Sequence, residues 1–302
     1  MQNTGLICAV SAYIIWGVVP IFWRELDHVN SGEIVAHRMV WSSLMVTLLI
    51  LLMRQWQDLR SLVKNRAMML RLFLSSILIS INWGIYIWAV NDGRIIEGSM
   101  GYFINPLINV LFGLLFFGET LRRNQGIAIG VAAIGVAYLV VAHGEVPWVA
   151  LTLALTFACY GAVKKAVAVP ATHGMAIETG LLLLPALAYI AYLDFNSAAE
   201  FSKDLQTDIF LILGGLVTLT PLVLFAFAAQ KISMTALGMS QYIGPTLQLL
   251  IGVFLYNEAF GSERQFAFGC IWLALIIYSF DQLNHKRRRK LIASSAGPVR
   301  VE

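Results

Sequence analysis

Tyr102, Asn105 and Asn109 are polar residues in an otherwise apolar segment, and they follow one another at spacings of three and four residues. These spacings place all three on one face of a helix. In a membrane that face must turn toward other protein or a cavity, because lipid would leave the amides unpaired. The pattern predicts a face that binds a solute, and hydrogen bonding that only joins helices is the alternative.

A second copy of this segment lies 139 residues further along the chain. Residues 100–121 and 239–260 align at that constant offset, and they share Met100/Met239, Ile104/Ile243, Pro106/Pro245, Leu111/Leu250, Gly113/Gly252 and Glu119/Glu258. The proline, glycine and glutamate matches are the informative ones, since leucine-rich helices match one another by chance. We interpret the two segments as copies of one unit.

The polar face recurs in the second copy, where Gln241 and Gln248 take the positions of Tyr102 and Asn109. In an inverted pair of copies, Asn109 and Gln248 are expected to meet near the middle of the membrane. The duplication of the face favours a solute-binding role over simple packing.

Pro106 and Pro245 are predicted to interrupt their helices. Proline donates no backbone hydrogen bond, so each frees a carbonyl group one turn back. In membrane carriers such breaks often turn backbone polar groups toward a solute. A kink without a binding role is the alternative.

Trp16, Trp83 and Tyr160 lie well inside apolar segments. Tryptophan and tyrosine usually collect at the membrane interfaces instead. In the interior they can line a cavity for an aromatic or amphiphilic solute, and packing between helices is the alternative.

Four ionisable residues lie within apolar segments or at their ends. His37 and Arg38 fall one turn inside the second segment, and Glu178 falls one turn inside the seventh, near Lys164 at the end of the sixth. Ionisable groups inside a membrane are functional candidates by default. We expect gating or coupling roles, with Glu178 paired to a lysine in a closed state. Snorkelling and static ion pairing are the alternative.

The composition places these residues in a membrane protein. Hydrophobic residues make up 59% of the 302 residues and charged residues 13%, against about 45–50% and about 25% in soluble domains. This excludes a soluble enzyme, a disordered chain and a disulfide-stabilised secreted module. The cysteines Cys8, Cys159 and Cys270 form no C-x-x-C pair, and no Walker or H-E-x-x-H motif occurs, so no metal, cofactor or enzymatic reaction is predicted.

Ten segments are long and apolar enough to form membrane-spanning helices. They are residues 5–23, 34–53, 72–91, 98–117, 125–142, 147–163, 176–193, 209–229, 237–256 and 265–281. With both termini inside, sixteen lysines and arginines lie on the cytoplasmic side and four lie outside. The positive-inside rule therefore predicts that both termini are cytoplasmic.

Five spans per copy is an odd number, so the second copy must enter the membrane from the opposite face. The sequence thus predicts an all-α integral membrane protein of two inverted five-helix repeats, residues 5–142 and 147–281, with a basic cytoplasmic tail, residues 282–302. Inverted repeats place a binding site near the midplane and are suited to alternating access. The basic run 286–290 follows an apolar helix directly, so it is expected to bind anionic lipid rather than nucleic acid.

Seven strings along the chain carry a resemblance to a known family. They are His37-Arg38-Met39-Val40-Trp41-Ser42, Asn82-Trp83, Ile87-Trp88-Ala89-Val90-Asn91, Gly101-Tyr102-Phe103-Ile104-Asn105-Pro106-Leu107, Tyr160-Gly161, Ile177-Glu178-Thr179 and Gln241-Tyr242-Ile243-Gly244-Pro245-Thr246. With the proline-centred repeat, they make residues 5–283 similar to the EamA-type drug/metabolite transporters, and especially to the RarD group. Asn82 and Tyr242, which lie within these strings, complete the candidate substrate-binding residues.

The resemblance implies a multi-pass permease of the bacterial cytoplasmic membrane that has no ATPase domain. We expect a secondary transporter that moves a small organic metabolite or drug-like solute by alternating access, with export favoured by family analogy alone. A non-transporting membrane binding protein and an uncoupled facilitator or exchanger are the alternatives. The substrate, the coupling and the choice between monomer and homodimer stay open.

Overall fold

The structure is a computed structural model that describes residues 2–91, 95–142, 144–167, 169–256 and 261–295. Side chains are described in these ranges except at residues 2, 87, 90, 91, 95–97 and 286–295. Three parts of the sequence-based predictions lie outside the described residues: Glu258, the side chains of the basic run 286–290, and residues 296–302 of the tail.

The described residues form twelve α-helices. They are α1 (Gln2–Arg24), α2 (Ser31–Leu52), α3 (Trp56–Lys64), α4 (Arg66–Asn91), α5 (Ile95–Phe116), α6 (Arg123–Ala142), α7 (Trp148–Ala166), α8 (Ala171–Phe195), α9 (Leu205–Lys231), α10 (Met234–Gln241), α11 (Ile243–Leu255) and α12 (Ser262–Ser295). Nine of these described helices are long and apolar enough to cross a membrane. The prediction of an all-α integral membrane protein is confirmed.

Short polar side chains fix where several helices begin. The Asn30 side chain accepts from the backbone N–H of Gly32 at the start of α2. Asp204 accepts from Thr207 at the start of α9, and Ser233 accepts from Ala236 at the start of α10. Each cap satisfies an N–H group that has no partner within its own helix.

Helix α3 lies where the sequence predicts only a loop, residues 54–71. It is nine residues long, and Leu59 is its buried residue. A search for segments of about 20 apolar residues overlooks such a helix, because only one of its faces is apolar.

The ninth predicted span, residues 237–256, is divided into α10 and α11, which meet at Tyr242. Pro245 cannot donate to the carbonyl of Gln241 one turn back, so the helical hydrogen-bonding pattern is weakened at this point. The break therefore lies three residues before the proline. Helix α5, in contrast, continues through Pro106, which corrects the predicted interruption there.

The chain divides into two compact units. The first unit comprises residues 1–117 and 147–258 and contains α1–α5 and α7–α11. Its core is rich in aromatic side chains, and Tyr13, Tyr160, Phe225 and Tyr242 are fully or almost fully buried. Small residues allow close helix contacts, as where Gly215 of α9 faces the backbone of Trp41 and Ser42 in α2.

The second unit comprises residues 118–146 and 259–302 and contains α6 and α12. Along the pair, the Arg122 side chain forms an ion pair with Asp281, Gly135 faces Cys270, and the Tyr138 ring packs on Phe266 at 4.7 Å between centroids. In these three contacts, a higher residue number in or beside α6 corresponds to a lower residue number in α12. The two helices are therefore antiparallel.

Candidate functional site

A cavity of about 520 Å³ lies within the first unit. Its described lining comes from eight helices, α1, α2, α4, α5, α7, α9, α10 and α11. Its size is within the usual range for small-molecule sites. Of the residues predicted from sequence to bind or move a solute, the lining contains Trp16, Arg38, Asn82, Trp83, Tyr102, Asn105, Gln241, Pro245 and Gln248.

Aromatic rings form much of the cavity wall. Trp16 of α1 packs on Phe157 of α7 at 5.9 Å between ring centroids, and Tyr86 of α4 packs on Tyr102 of α5 at 6.3 Å. Both contacts are between different helices. The rings therefore join the helices and at the same time give the cavity flat apolar surfaces.

The amides of the cavity wall are partly used to hold the helices together. Asn82 Nδ2 donates to the Leu153 carbonyl at 2.8 Å, and Asn105 Nδ2 donates to the Ala154 carbonyl at 2.6 Å. Gln248 Nε2 donates to the Trp16 carbonyl at 3.0 Å. Amides that line the cavity therefore also join neighbouring helices, as the alternative interpretation of the polar face expects.

Arg38 brings a positive charge to the cavity wall. Its Nε donates to Thr218 Oγ1 of α9 at 2.8 Å. Its guanidinium carbon lies 4.9 Å from the ring centroid of Trp23 and 5.2 Å from that of Trp83. Thr218 in turn donates to the Gly214 carbonyl at 2.7 Å. Ring faces and one hydroxyl thus fix the direction of the guanidinium group.

Asn109 and Tyr242 are not among the lining residues. Asn109 is fully buried, and its Nδ2 donates to Asn105 Oδ1 at 2.9 Å and to Gln241 Oε1 at 3.1 Å. Tyr242 donates its hydroxyl to the Phe103 carbonyl at 3.2 Å. Asn109 was expected to meet Gln248, but its contact is with Gln241, at the end of α10.

Tyr160, Lys164 and Glu178 form a second polar cluster, which does not line the cavity. Lys164 Nζ lies 2.5 Å from Glu178 Oε1, and the side chains are 3% and 2% exposed. The Tyr160 hydroxyl donates to Glu178 Oε2 at 3.5 Å, and its ring stacks on Phe225. The predicted pairing of Glu178 with a lysine is present, and it is enclosed by protein.

His37 lies away from the cavity, against the connection between α8 and α9. Its ring packs on Phe201 in a tilted arrangement at 4.7 Å between centroids, and its Nδ1 accepts from Trp41 Nε1 at 3.2 Å. The buried carboxylate of Glu33, 4.0 Å from His37 Nε2, accepts from the backbone N–H groups of Glu200 and Phe201. These contacts join the start of α2 to that connection.

Sequence reasoning missed several residues of the cavity wall, among them Tyr13, Trp23, Arg24, Tyr86, Phe157 and Thr218. Trp23 and Arg24 end α1, where an aromatic or basic residue reads as an interface anchor. Thr218 carries no sequence signal, since a threonine within a helix usually bonds to its own backbone. Only its contact with Arg38, 180 positions away, reveals its role.

Chemically, the cavity offers hydrogen bonds, aromatic faces and positive charge. Among the described residues, no group of three or more His, Cys, Asp or Glu side chains is arranged to hold a metal ion. The described lining residues include two arginines, Arg24 and Arg38, and neither Asp nor Glu. The arrangement is suited to binding an organic solute.

Comparison with known proteins gives the family. The EamA-like transporter family matches residues 3–141. The "Uncharacterized transporter YojE" of Bacillus subtilis is 42% identical over 95% of this chain and 97% of its own. The "Protein RarD" of Streptomyces exfoliatus is 40% identical over 99% of this chain and 95% of its own.

A solved crystal structure shares the fold, with a TM-score of 0.72 and 17% identity over 92% of this chain and 98% of that one. At that identity the likeness concerns the fold alone. The relatives match this chain over nearly its full length. The apolar helices and the cavity agree with a membrane transporter. The chain therefore belongs to the RarD group of the EamA-like transporter family, and it is a multi-pass transporter of the bacterial cytoplasmic membrane.

Proposed function

We propose that this transporter is a secondary carrier that moves a small organic solute by alternating access, and that the cavity of the first unit is its solute site. The observation that carries the proposal is the cavity itself, about 520 Å³ in volume and lined from eight helices by aromatic, amide and cationic side chains. Export is the direction that family analogy favours.

The carrier is proposed to cross the membrane ten times, as two inverted five-helix repeats with both termini cytoplasmic. Together α10 and α11 cover residues 234–255, which supplies a span beyond the nine long helices. The antiparallel packing of α6 and α12 supports the inversion, because the 139-residue offset makes these two helices equivalent members of the repeats.

A contact between α5 and α10 gives independent support for the inversion. Tyr242 bonds to the carbonyl of Phe103, which is its own equivalent at the 139-residue offset. A residue meets its own equivalent when two copies are related by a twofold axis. An axis of this kind in the membrane plane relates inverted repeats.

Two buried clusters are proposed to hold the gates. One is the Lys164–Glu178 pair with Tyr160, and the other is the contact of His37 and Glu33 with residues 200 and 201. The first cluster joins the consecutive helices α7 and α8, and the second joins α2 to the connection between α8 and α9. A small relative movement of these elements must break the contacts. Proton coupling through Glu178 or His37 and uncoupled exchange are both compatible with these contacts.

Solute uptake and counterflow in proteoliposomes test the carrier. Purified protein is reconstituted and screened with amino acids, aromatic metabolites and amphenicol drugs. A carrier gives saturable uptake, and preloaded unlabelled solute accelerates entry of the labelled solute. Uptake that never saturates and shows no counterflow identifies a channel, whereas binding without uptake identifies a membrane binding protein.

A bulky substitution inside the cavity tests whether the transported solute passes through it. Val35 of α2 lines the cavity, and Val63 of α3 is 51% exposed outside it. We expect Val35→Trp to lower uptake at least ten-fold by filling the cavity, while Val63→Trp leaves uptake unchanged. Equal uptake by both variants would place the solute path elsewhere.

A further inference from the structure

Arg38, a cation of the cavity wall, has no charged partner among the described residues. Arg38 lies in a membrane-spanning helix, where a charge costs at least about 2.5 kcal/mol and is normally paired. Among the described residues, its polar contact is the single hydrogen bond from Nε to Thr218. None of the described ion pairs involves it. Its two terminal nitrogens therefore keep donors that no described protein group accepts.

The surroundings of Arg38 show why this charge can be held in place without a carboxylate. The rings of Trp23 and Trp83 lie within 4.9 and 5.2 Å of the guanidinium carbon. Electron-rich ring faces stabilise a cation without neutralising it. The site therefore holds a positive charge and leaves the terminal N–H donors, at the edge of the guanidinium plane, available.

The rest of the described lining reinforces this charge. Arg24 is a second cation, and the described lining includes no Asp or Glu. The uncharged polar groups that line the cavity include Asn82, Gln241 and Gln248. A positive amine in the cavity would meet no carboxylate from these residues and would be repelled by Arg38. An anion would gain charge-assisted hydrogen bonds, which are about twice as strong as neutral ones.

We infer that the substrate of this carrier is an organic anion with an apolar or aromatic body, and that Arg38 binds its carboxylate. The inference rests on the proposed function, since it names the solute class that the same cavity takes. Two parallel N–H donors of a guanidinium group match the two oxygens of a carboxylate. The ring faces of Trp16 and Phe157 supply the apolar part of the site.

Three probes of one shape but different charge test the substrate class. They are 3-phenylpropanoate, neutral 3-phenylpropanamide and cationic 3-phenylpropylamine. Binding to the detergent-solubilised full chain is measured by isothermal titration calorimetry at pH 7. We expect the acid to bind at least ten-fold more tightly than the amide, and the amine to bind weakest.

Variants of Arg38 test whether this residue causes the preference for the acid over the amide. Arg38→Met should remove the preference for the acid and leave the affinity for the amide nearly unchanged. Arg38→Lys, which keeps the charge but loses the planar pair of donors, should keep a reduced preference for the acid. Arg60→Gln, at an exposed arginine of α3 outside the cavity lining, is the matched control and should behave like the wild type.

The wild-type measurement alone can overturn the inference, even if a variant fails to fold. Equal binding of acid and amide, tighter binding of the amine, or no binding of any probe would each overturn it. So would a preference for the acid that survives in Arg38→Met. Counterflow of the acid in proteoliposomes tests the carrier separately: selective binding without counterflow leaves the substrate class standing and contradicts the proposed transport.

Discussion

Two cations of the first unit, Lys164 and Arg38, are held in two different ways. Lys164 is enclosed with Glu178 at 2.5 Å, and both side chains are almost completely buried. Arg38 faces a cavity, is held by Thr218 and two tryptophan rings, and forms none of the described ion pairs. The comparison teaches that a buried charge neutralised by protein is bound to the fold, whereas one left without a counter-ion is available to a ligand.

The largest expected effect comes from breaking the neutralised pair. Glu178→Gln leaves the Lys164 charge enclosed without a partner, and removing one member of a buried pair costs about 3–5 kcal/mol. We expect the free energy of unfolding, measured by denaturation in mixed micelles, to fall by that amount. The exposed Glu145→Gln is the control and should change stability little.

Removing both charges together separates stability from gating. Lys164→Met combined with Glu178→Leu leaves no unpaired charge, so it should recover most of the stability that Glu178→Gln loses. If uptake and its pH response stay unchanged in this double variant, the pair has only a structural role. A changed pH response at near-normal stability would support the proposed gate.

The next largest effect comes from the helix contact behind Arg38. A methyl group on Gly215 of α9 would collide with the backbone of Trp41 and Ser42 in α2, and forcing α2 and α9 apart should cost about 1–3 kcal/mol. Because Arg38 is on α2 and Thr218 on α9, the binding of 3-phenylpropanoate should weaken as well. Gly180→Ala in α8, where the added methyl group meets nothing within 4 Å, should leave both unchanged.

A smaller effect on stability is expected at Arg38 itself. Arg38→Met leaves no opposite charge stranded, and Thr218 keeps its hydrogen bond to Gly214. The loss of the contacts with Trp23 and Trp83 should cost about 1–2 kcal/mol. Mixed-micelle unfolding measures this loss. A loss as large as that of Glu178→Gln would contradict the distinction between the two cations.

The smallest effect is expected at an exposed charge, Asp204, outside the spans. A hydrogen bond from the backbone N–H of Thr207 holds the pKa of Asp204 below its ordinary value of 3.8. Its stabilisation of α9 is therefore present above about pH 4 and is lost as the pH falls through the lowered pKa. Unfolding of Asp204→Asn should differ slightly from that of the wild type at pH 6 and converge with it at low pH. Asp194→Asn, at another exposed aspartate, is the control and should change stability little at pH 6.

Much of the fold could be predicted because the membrane imposes one rule on every span. Each apolar segment must form its own backbone hydrogen bonds, so length and hydropathy reveal it. Helix α3 escaped because it is short and only one face is apolar. Interruptions were predicted at both prolines, and the structure has a break only near Pro245, at Tyr242. Which proline breaks its helix could not be predicted, since both remove the same hydrogen bond and only the packing around them differs.

The candidate site was predicted less completely. Trp16, Asn82, Trp83 and Asn105 were named from the sequence and line the cavity, whereas Tyr160 and Asn109 do not. Helical spacing identifies which residues share a face, but it does not tell which neighbouring helix covers that face. For the same reason Trp23 and Thr218 were missed.

The sequence alone determined that this chain is an α-helical membrane protein of the RarD group, because hydropathy, charge placement and motif strings follow from the order of residues. Only the tertiary structure decided that Lys164 and Glu178 neutralise each other and that Arg38 faces a cavity. Residues 38 and 218, like residues 164 and 178, come together through helix packing. Electrostatic pairing depends on distances in space, which neither composition nor periodicity contains.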